Sequence, residues 1–164
     1  MNEILSEDLL GHRVHCSLPY TRDQLFELAA DVERYPDFVP WWVAARVWKR
    51  EGNVYYTDQV IRFAMVSKRF GSKTILQRPE RIDVTATDGS VRNLHLIWLF
   101  EAEAADRCQV SLAIDLELRS QLIRGLFAQA LSRAVEPIMS AFEARAHQLC
   151  KPAPGSRNTT GGPA

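Results

Sequence analysis

Apolar and polar side chains alternate without a break from Cys108 to Leu118. Cys108, Val110, Leu112, Ile114, Leu116 and Leu118 share one side, and Gln109, Ser111, Ala113, Asp115, Glu117 and Arg119 the other. A period of two belongs to a strand with one face on the core and one in water, the habit of an antiparallel sheet. Leu94, Leu96, Trp98 and Phe100 repeat it just upstream, and Val14, Cys16 and Leu18 do so within His12 to Leu18. From about Val43 to Arg119 turn-forming residues predict consecutive strands, with corners at Glu51-Gly52-Asn53, Arg78-Pro79-Glu80, Asp88-Gly89-Ser90 and Ala105-Asp106.

Two segments follow a helical period instead. Thr21 with Gln24 forms a capping-box pattern and Tyr20 with Leu25 a hydrophobic staple, so a helix starts at Thr21 and buries Leu25, Leu28, Ala29 and Val32. Pro36 and Pro40 bracket a short turn after it. The second segment runs from Ser120 to about Leu149, with an apolar stripe through Leu122, Leu126, Phe127, Ala130, Leu131, Ala134, Ile138, Phe142 and Ala146. Pro137 removes one backbone donor and crowds the carbonyl of Arg133, which predicts a kink. The expected architecture is α+β: a curved antiparallel sheet wrapped around a long C-terminal helix.

At 164 residues the chain is long enough for one sizeable core and no more. Residues 1–11 read as an N-terminal extension, 12–149 as the domain, and the Pro, Gly, Ser, Asn and Thr of 150–164 as a disordered tail. Lys plus Arg and Asp plus Glu balance at 20 each, so bulk charge gives no reason to bind polyanions. Cys16, Cys108 and Cys150 are odd in number and in no metal-ligand spacing, which predicts free thiols in a reducing compartment. Glu3, Glu7 and Asp8 near the start argue against a secretory signal, and no apolar run reaches about 18 residues, so the expected location is cytoplasmic with peripheral contact at the inner membrane left open.

The element order resembles the START-like, or helix-grip, superfamily. Asp31-Val-Glu-Arg-Tyr-Pro-Asp-Phe-Val-Pro-Trp41, Ile61-Arg-Phe63, Phe70-Gly-Ser-Lys73, Gly89 to Leu94 with Trp98 and Phe100, Asp115 to Ser120 and Ala141 to Ala146 look like the coenzyme Q-binding protein family, also described as polyketide cyclase/dehydrase-like. That resemblance implies non-catalytic binding of ubiquinone or a related isoprenoid lipid in support of the respiratory chain, with no cofactor beyond the bound ubiquinone and with respiratory complexes as partners. A related branch consists of ribosome-association toxins, which implies the ribosome as an alternative partner. The wider superfamily implies a third reading, a polyketide cyclase or aromatase. Here Trp42 follows Trp41 where the family often has Cys, so the loop is bulkier.

On this reading the ligand-binding residues are Phe38, Trp41, Trp42, Phe63, Leu94, Leu96, Trp98, Phe100, Ile114, Leu126, Ala130 and Ile138. Tyr35, Phe38, Trp41 and Trp42 crowd a predicted turn, where they form a cavity gate or an interfacial anchor, or else tuck under the first helix as core. Trp98 and Phe100 carry the same ambiguity between cavity wall and plain core. No metal set or nucleophile–base pair emerges: His12, His15, His95 and His147 match no zinc spacing, and Asp115 with Glu117 sit on the polar strand face. Arg62, Lys68, Arg69, Lys73, Arg78 and Arg81 make the middle strands locally basic, either a solvated outer face or a patch for headgroups or ribosomal RNA.

Overall fold

The computed structural model describes residues 10–63, 65–87, 94–116 and 121–152, with backbone alone for 10–11, 63, 66, 116, 121–132 and 134. Strand β1 (Leu10–Leu18) leads through helix α1 (Arg22–Ala30) and a 3-10 segment (Val32–Asp37) into six more strands. These are β2 (Trp42–Glu51), β3 (Val54–Phe63), β4 (Val66–Gln77), β5 (Arg81–Ala86), β6 (His95–Ala104) and β7 (Arg107–Leu116). Helix α2 (Gln121–Leu149) closes the domain. All neighbours are antiparallel in the order β1-β7-β6-β5-β4-β3-β2, so β2 to β7 pair consecutively, β7 also pairs with β1, and β1 and β2 form the two edges. The sheet curves around α2.

Thr21 caps α1 as the sequence predicts: its hydroxyl accepts from the Gln24 amide while the Gln24 side chain accepts from the Thr21 amide. Tyr20 and Leu25 are both buried, completing the staple. The buried face of α1 also takes in Phe26 and Ala30, and Leu28 is only half-buried. The link bracketed by Pro36 and Pro40 is more than a turn, because Val32–Asp37 winds into a 3-10 helix that contains Pro36. Trp41 then adopts a left-handed φ of 68°, a costly conformation for a bulky residue, and so swings the chain into β2.

Corners form at Gly52-Asn53, where Gly52 supplies a φ of 58°, at 78–80 and at 105–106. Asp88-Gly89-Ser90 and the stretch Glu117 to Ser120 lie outside the described residues. The corner between β3 and β4 has no sequence signal: residues 64–65 are Ala and Met, and Met65 stands 97% exposed. On β7 the expected inner face is buried from Cys108 through Ile114, but Ser111 and Ala113 on the other face are buried too. They are small and are flanked across the ladder by the larger His15 and Leu99, and by Arg13 and Ile97. Helix α2 continues through Pro137 as one element.

The second half of α2 is held firmly. Phe142 packs on Trp98 at 4.9 Å between centroids, Trp98 stacks on Phe100, and Phe100 meets Phe26 edge-on. The Tyr20 hydroxyl bonds His147 Nδ1 at 2.7 Å, and the Arg145 guanidinium lies 5.4 Å over Phe38.

Candidate functional site

The inner faces of β3 to β6, the end of α1 and the 3-10 segment enclose a cavity of about 50 Å³, with Ile138 of α2 on its far wall. A water needs roughly 10–15 Å³ on this measure, so the space holds a few waters. It is far below the roughly 300–1,000 Å³ of a typical small-molecule pocket. The sheet and helix therefore stand apart, but less than a quinone ring requires. The register puts the starts of β2, β4 and β6 and the ends of β3, β5 and β7 at one end of the sheet.

Among the nominated residues, Trp42, Leu94, Leu96, Trp98 and Ile138 line the cavity. Phe100 and Ile114 are buried but off its wall: Phe100 is spent between Phe26 and Trp98, and Ile114 packs in the core. Phe38 follows the 3-10 segment against Tyr35 and under Arg145, and Trp41 is half-buried against the core; neither lines the cavity. Phe63 closes β3, and Leu126 and Ala130 fall in the first half of α2, where side chains lie outside the described part.

The remaining lining was not anticipated: it adds Tyr35, Tyr55, Gln59 and Thr74 to a wall that is otherwise mostly apolar, and the inward faces of β3 and β4 are polar behind it as well. On β3 the inward positions are Tyr55, Thr57 and Gln59, and on β4 they are Phe70, Ser72 and Thr74, all buried. The Trp42 indole N–H donates to Gln59 Oε1 at 2.7 Å. Gln59 Nε2 donates to Thr57 Oγ1 at 2.9 Å and Ser72 Oγ at 3.0 Å, and those hydroxyls bond each other at 2.6 Å. Indole can only donate, so the amide orientation of Gln59 follows from its partner. The Tyr35 hydroxyl donates to Ala29 O at 2.6 Å and the Tyr55 hydroxyl to Ala30 O at 2.9 Å. These carbonyls belong to the last turn of α1, whose acceptors have no partner within the helix. The two tyrosines thus tie the cavity wall to the helix end.

Burial raises the Tyr35 hydroxyl well above its usual pKa and the Tyr55 hydroxyl to about 12. Burial likewise pushes the Cys16 and Cys108 thiols up to about 11. Such groups stay neutral at pH 7 and make poor nucleophiles. His95 faces away from Trp98, bonding Asp83 at 3.1 Å on the outer surface beside Arg81. Among the described residues no cluster of His, Cys, Asp or Glu is placed to hold a metal, and no helix is long and apolar enough to cross a membrane.

The outer face of β2 to β4 has a different character. Trp48, 56% exposed, packs on Tyr56 at 5.6 Å, with Lys49 Nζ 5.5 Å from the Tyr56 ring and Lys73 paired to Tyr56 across the ladder. Of the basic run read from the sequence, Arg69 pairs with Asp58, Arg78 with Glu27 and Arg81 with Asp83.

Residues 18–143 match the family described as polyketide cyclase / dehydrase and lipid transport. The chain is 28% identical to the ribosome association toxin RatA of Pseudomonas aeruginosa over 80% of this chain and 92% of that protein. It is 24% identical to a coenzyme Q-binding protein COQ10 homolog B, mitochondrial, of Xenopus laevis over 80% of this chain and 56% of that one. Among solved structures the ZhuI aromatase/cyclase of a Streptomyces superposes with a TM-score of 0.77 at 16% identity, covering 85% of this chain and 94% of that one, a likeness of fold. The resemblance to coenzyme Q-binding proteins read from the sequence is thus matched at the level of superfamily, with ribosome-association proteins the stronger relatives.

Proposed function

Because the chain belongs to the polyketide cyclase/dehydrase and lipid transport family, we propose that it binds a small amphipathic lipid, of the isoprenoid or quinone kind, reversibly between sheet and α2. The observation that carries this reading is the enclosed cavity itself, apolar along Leu94, Leu96, Trp98 and Ile138 and polar at Trp42 and Gln59. Apolar burial at about 0.8 kcal/mol per CH₂ supplies affinity, while a few polar groups orient the guest. A guest larger than a few waters has to widen the space. The second half of α2 is pinned by Phe142 and His147, so the space does not widen there. Binding without conversion fits the wall, whose tyrosines are neutral and already engaged.

Lipid extraction and mass spectrometry of protein purified from a quinone-producing host test this directly. Stoichiometric recovery of one isoprenoid lipid is expected. Repeated recovery of empty protein that takes up no added quinone by calorimetry would reject the reading.

The exposed Trp48–Tyr56 pair among Arg46, Lys49 and Lys73 favours a second reading, association with the ribosome through RNA. Aromatic faces beside cations suit stacked bases and phosphates. Co-sedimentation with large ribosomal subunits, lost in a Trp48→Ala, Lys73→Glu variant that still binds lipid, would assign the outer face to this role.

A further inference from the structure

Trp42 fills part of the space that it borders. Along β2 the inward positions are Ala45 and Val47, both packed against the core, and strict alternation from them would turn Val43 inward. Instead the register shifts by one residue between Trp42 and Ala44, a bulge that leaves Val43 42% exposed and gives the inward place to Trp42. The left-handed backbone of Trp41 directly before it serves the same aim, with Trp41 O held by the Arg62 N–H at 2.8 Å. Two irregularities side by side thus set one indole against the cavity. Its ring meets Tyr35 edge-on at 5.7 Å between centroids, and its N–H reaches Gln59 Oε1 at 2.7 Å. Trp98, on the same wall, is 2% exposed and packed on Phe100 and Phe142, whereas Trp42 is half-buried at the first position of an edge strand, with solvent within reach.

We infer that the place of the Trp42 indole is itself the seat of the guest's ring: the side chain is a built-in plug, and a guest with a flat ring bearing a hydrogen-bonding substituent displaces it toward solvent and takes over its contacts with Gln59 and Tyr35. This inference rests on the carrier reading above and deepens it, favouring ring-bearing lipids over plain alkyl or isoprenoid chains. The free space of about 50 Å³ is too small for such a ring, and the second half of α2 does not yield. The indole can vacate its own volume by side-chain rotation, leaving the Trp42 backbone paired with Ile61. The exchange is close to even, ring for ring and hydrogen bond for hydrogen bond, while the released N–H finds water. The guest's chain then has Leu94, Leu96 and Ile138 to lie against.

Indole N–H resonances of the full chain, followed during titration with 4-butylphenol and with 1-decanol, test the exchange, because the two probes share a hydroxyl and a carbon count and differ in the ring. The Trp42 signal is the one missing from the spectrum of Trp42→Phe. With 4-butylphenol it should lose its hydrogen-bonded shift and exchange with water about tenfold faster, the protection of one net hydrogen bond. With 1-decanol it should stay in place. This readout on the native chain separates displacement from the mere filling of an engineered hole. Trp42→Ala should bind 4-butylphenol about tenfold to a hundredfold tighter than the native chain, since no hydrogen bond or edge-on contact has to be broken first, and should gain less for 1-decanol. Trp42→Phe, which keeps a ring without the N–H, should show a smaller gain in the same direction and carries the comparison if the alanine variant does not fold. Binding of 4-butylphenol with the Trp42 signal unmoved, displacement as complete by 1-decanol, or equal gains for the two probes in the variants would overturn the inference while leaving the carrier reading intact. Failure of the native chain and both variants to take up either probe would remove both.

Discussion

One face of one sheet is built in two ways. Where β6 and β7 meet α1 and the second half of α2, the inward residues are Trp98, Phe100, Cys108, Val110 and Leu112, and they interlock with Phe26 and Phe142. Where β3 and β4 face inward, Tyr55, Thr57, Gln59, Ser72 and Thr74 replace them, and a cavity remains beside the set. Apolar side chains fill space in whatever arrangement packs best. Hydrogen-bonded ones must first satisfy their partners, and that geometry holds the strands' side chains in place without filling the middle.

The largest effect should come from opening the packed half. Phe142→Ala removes a fully buried ring between Trp98 and α2 and is expected to cost about 3–5 kcal/mol, read as a drop in denaturant midpoint. An equal loss from Leu94→Ala on the cavity wall would erase the distinction between the halves.

Alkali should attack the hollow half. Tyr55 keeps its proton to about pH 12 when folded and Tyr35 holds its own well above 10, whereas both release theirs near 10 when unfolded. Their contribution is therefore fully present below pH 10 and lost as pH rises through about 12. For Tyr55 alone this is roughly 2–3 kcal/mol. With Tyr20 and Tyr56 changed to Phe, phenolate absorbance should rise in step with loss of far-ultraviolet ellipticity, and an early rise without unfolding would place the Tyr35 and Tyr55 hydroxyls in water.

Gln59→Leu tests the same wall more gently. It orphans the Trp42 N–H and should cost about 1–3 kcal/mol despite adding apolar surface. The smallest effect is expected from Val84→Ile, which adds one methylene toward the cavity. Stability should rise by up to about 1 kcal/mol while lipid uptake falls, since a void that shrinks gains contacts but loses room for a guest.

The packed half was legible in the sequence and the hollow half was not. Cys108 to Ile114 announces its buried face by strict alternation, and the Thr21–Gln24 box announces α1, because both patterns are local consequences of burial and capping. On β3 the inward residues Tyr55, Thr57 and Gln59 sit opposite the outward Tyr56, Asp58 and Val60, so hydropathy hardly distinguishes the faces. Gln59 earns its buried place through partners 13 and 17 residues away in the chain, a relation that periodicity does not encode. The nominated Phe100 and Ile114 have the right phase but sit on the filled side. Depth along the wrap, set by the register, decides which inward residues touch the cavity.

The four tryptophans divide among these settings. Trp42 and Trp98 border the cavity, Trp41 is held beside it in its left-handed turn, and Trp48 stands in solvent on the opposite face of the sheet. The molecule therefore carries its own optical gauge: emission from the first two will register occupancy of the interior, while quenching of Trp48 by an aqueous iodide probe will register what docks outside, in the same cuvette and without a label.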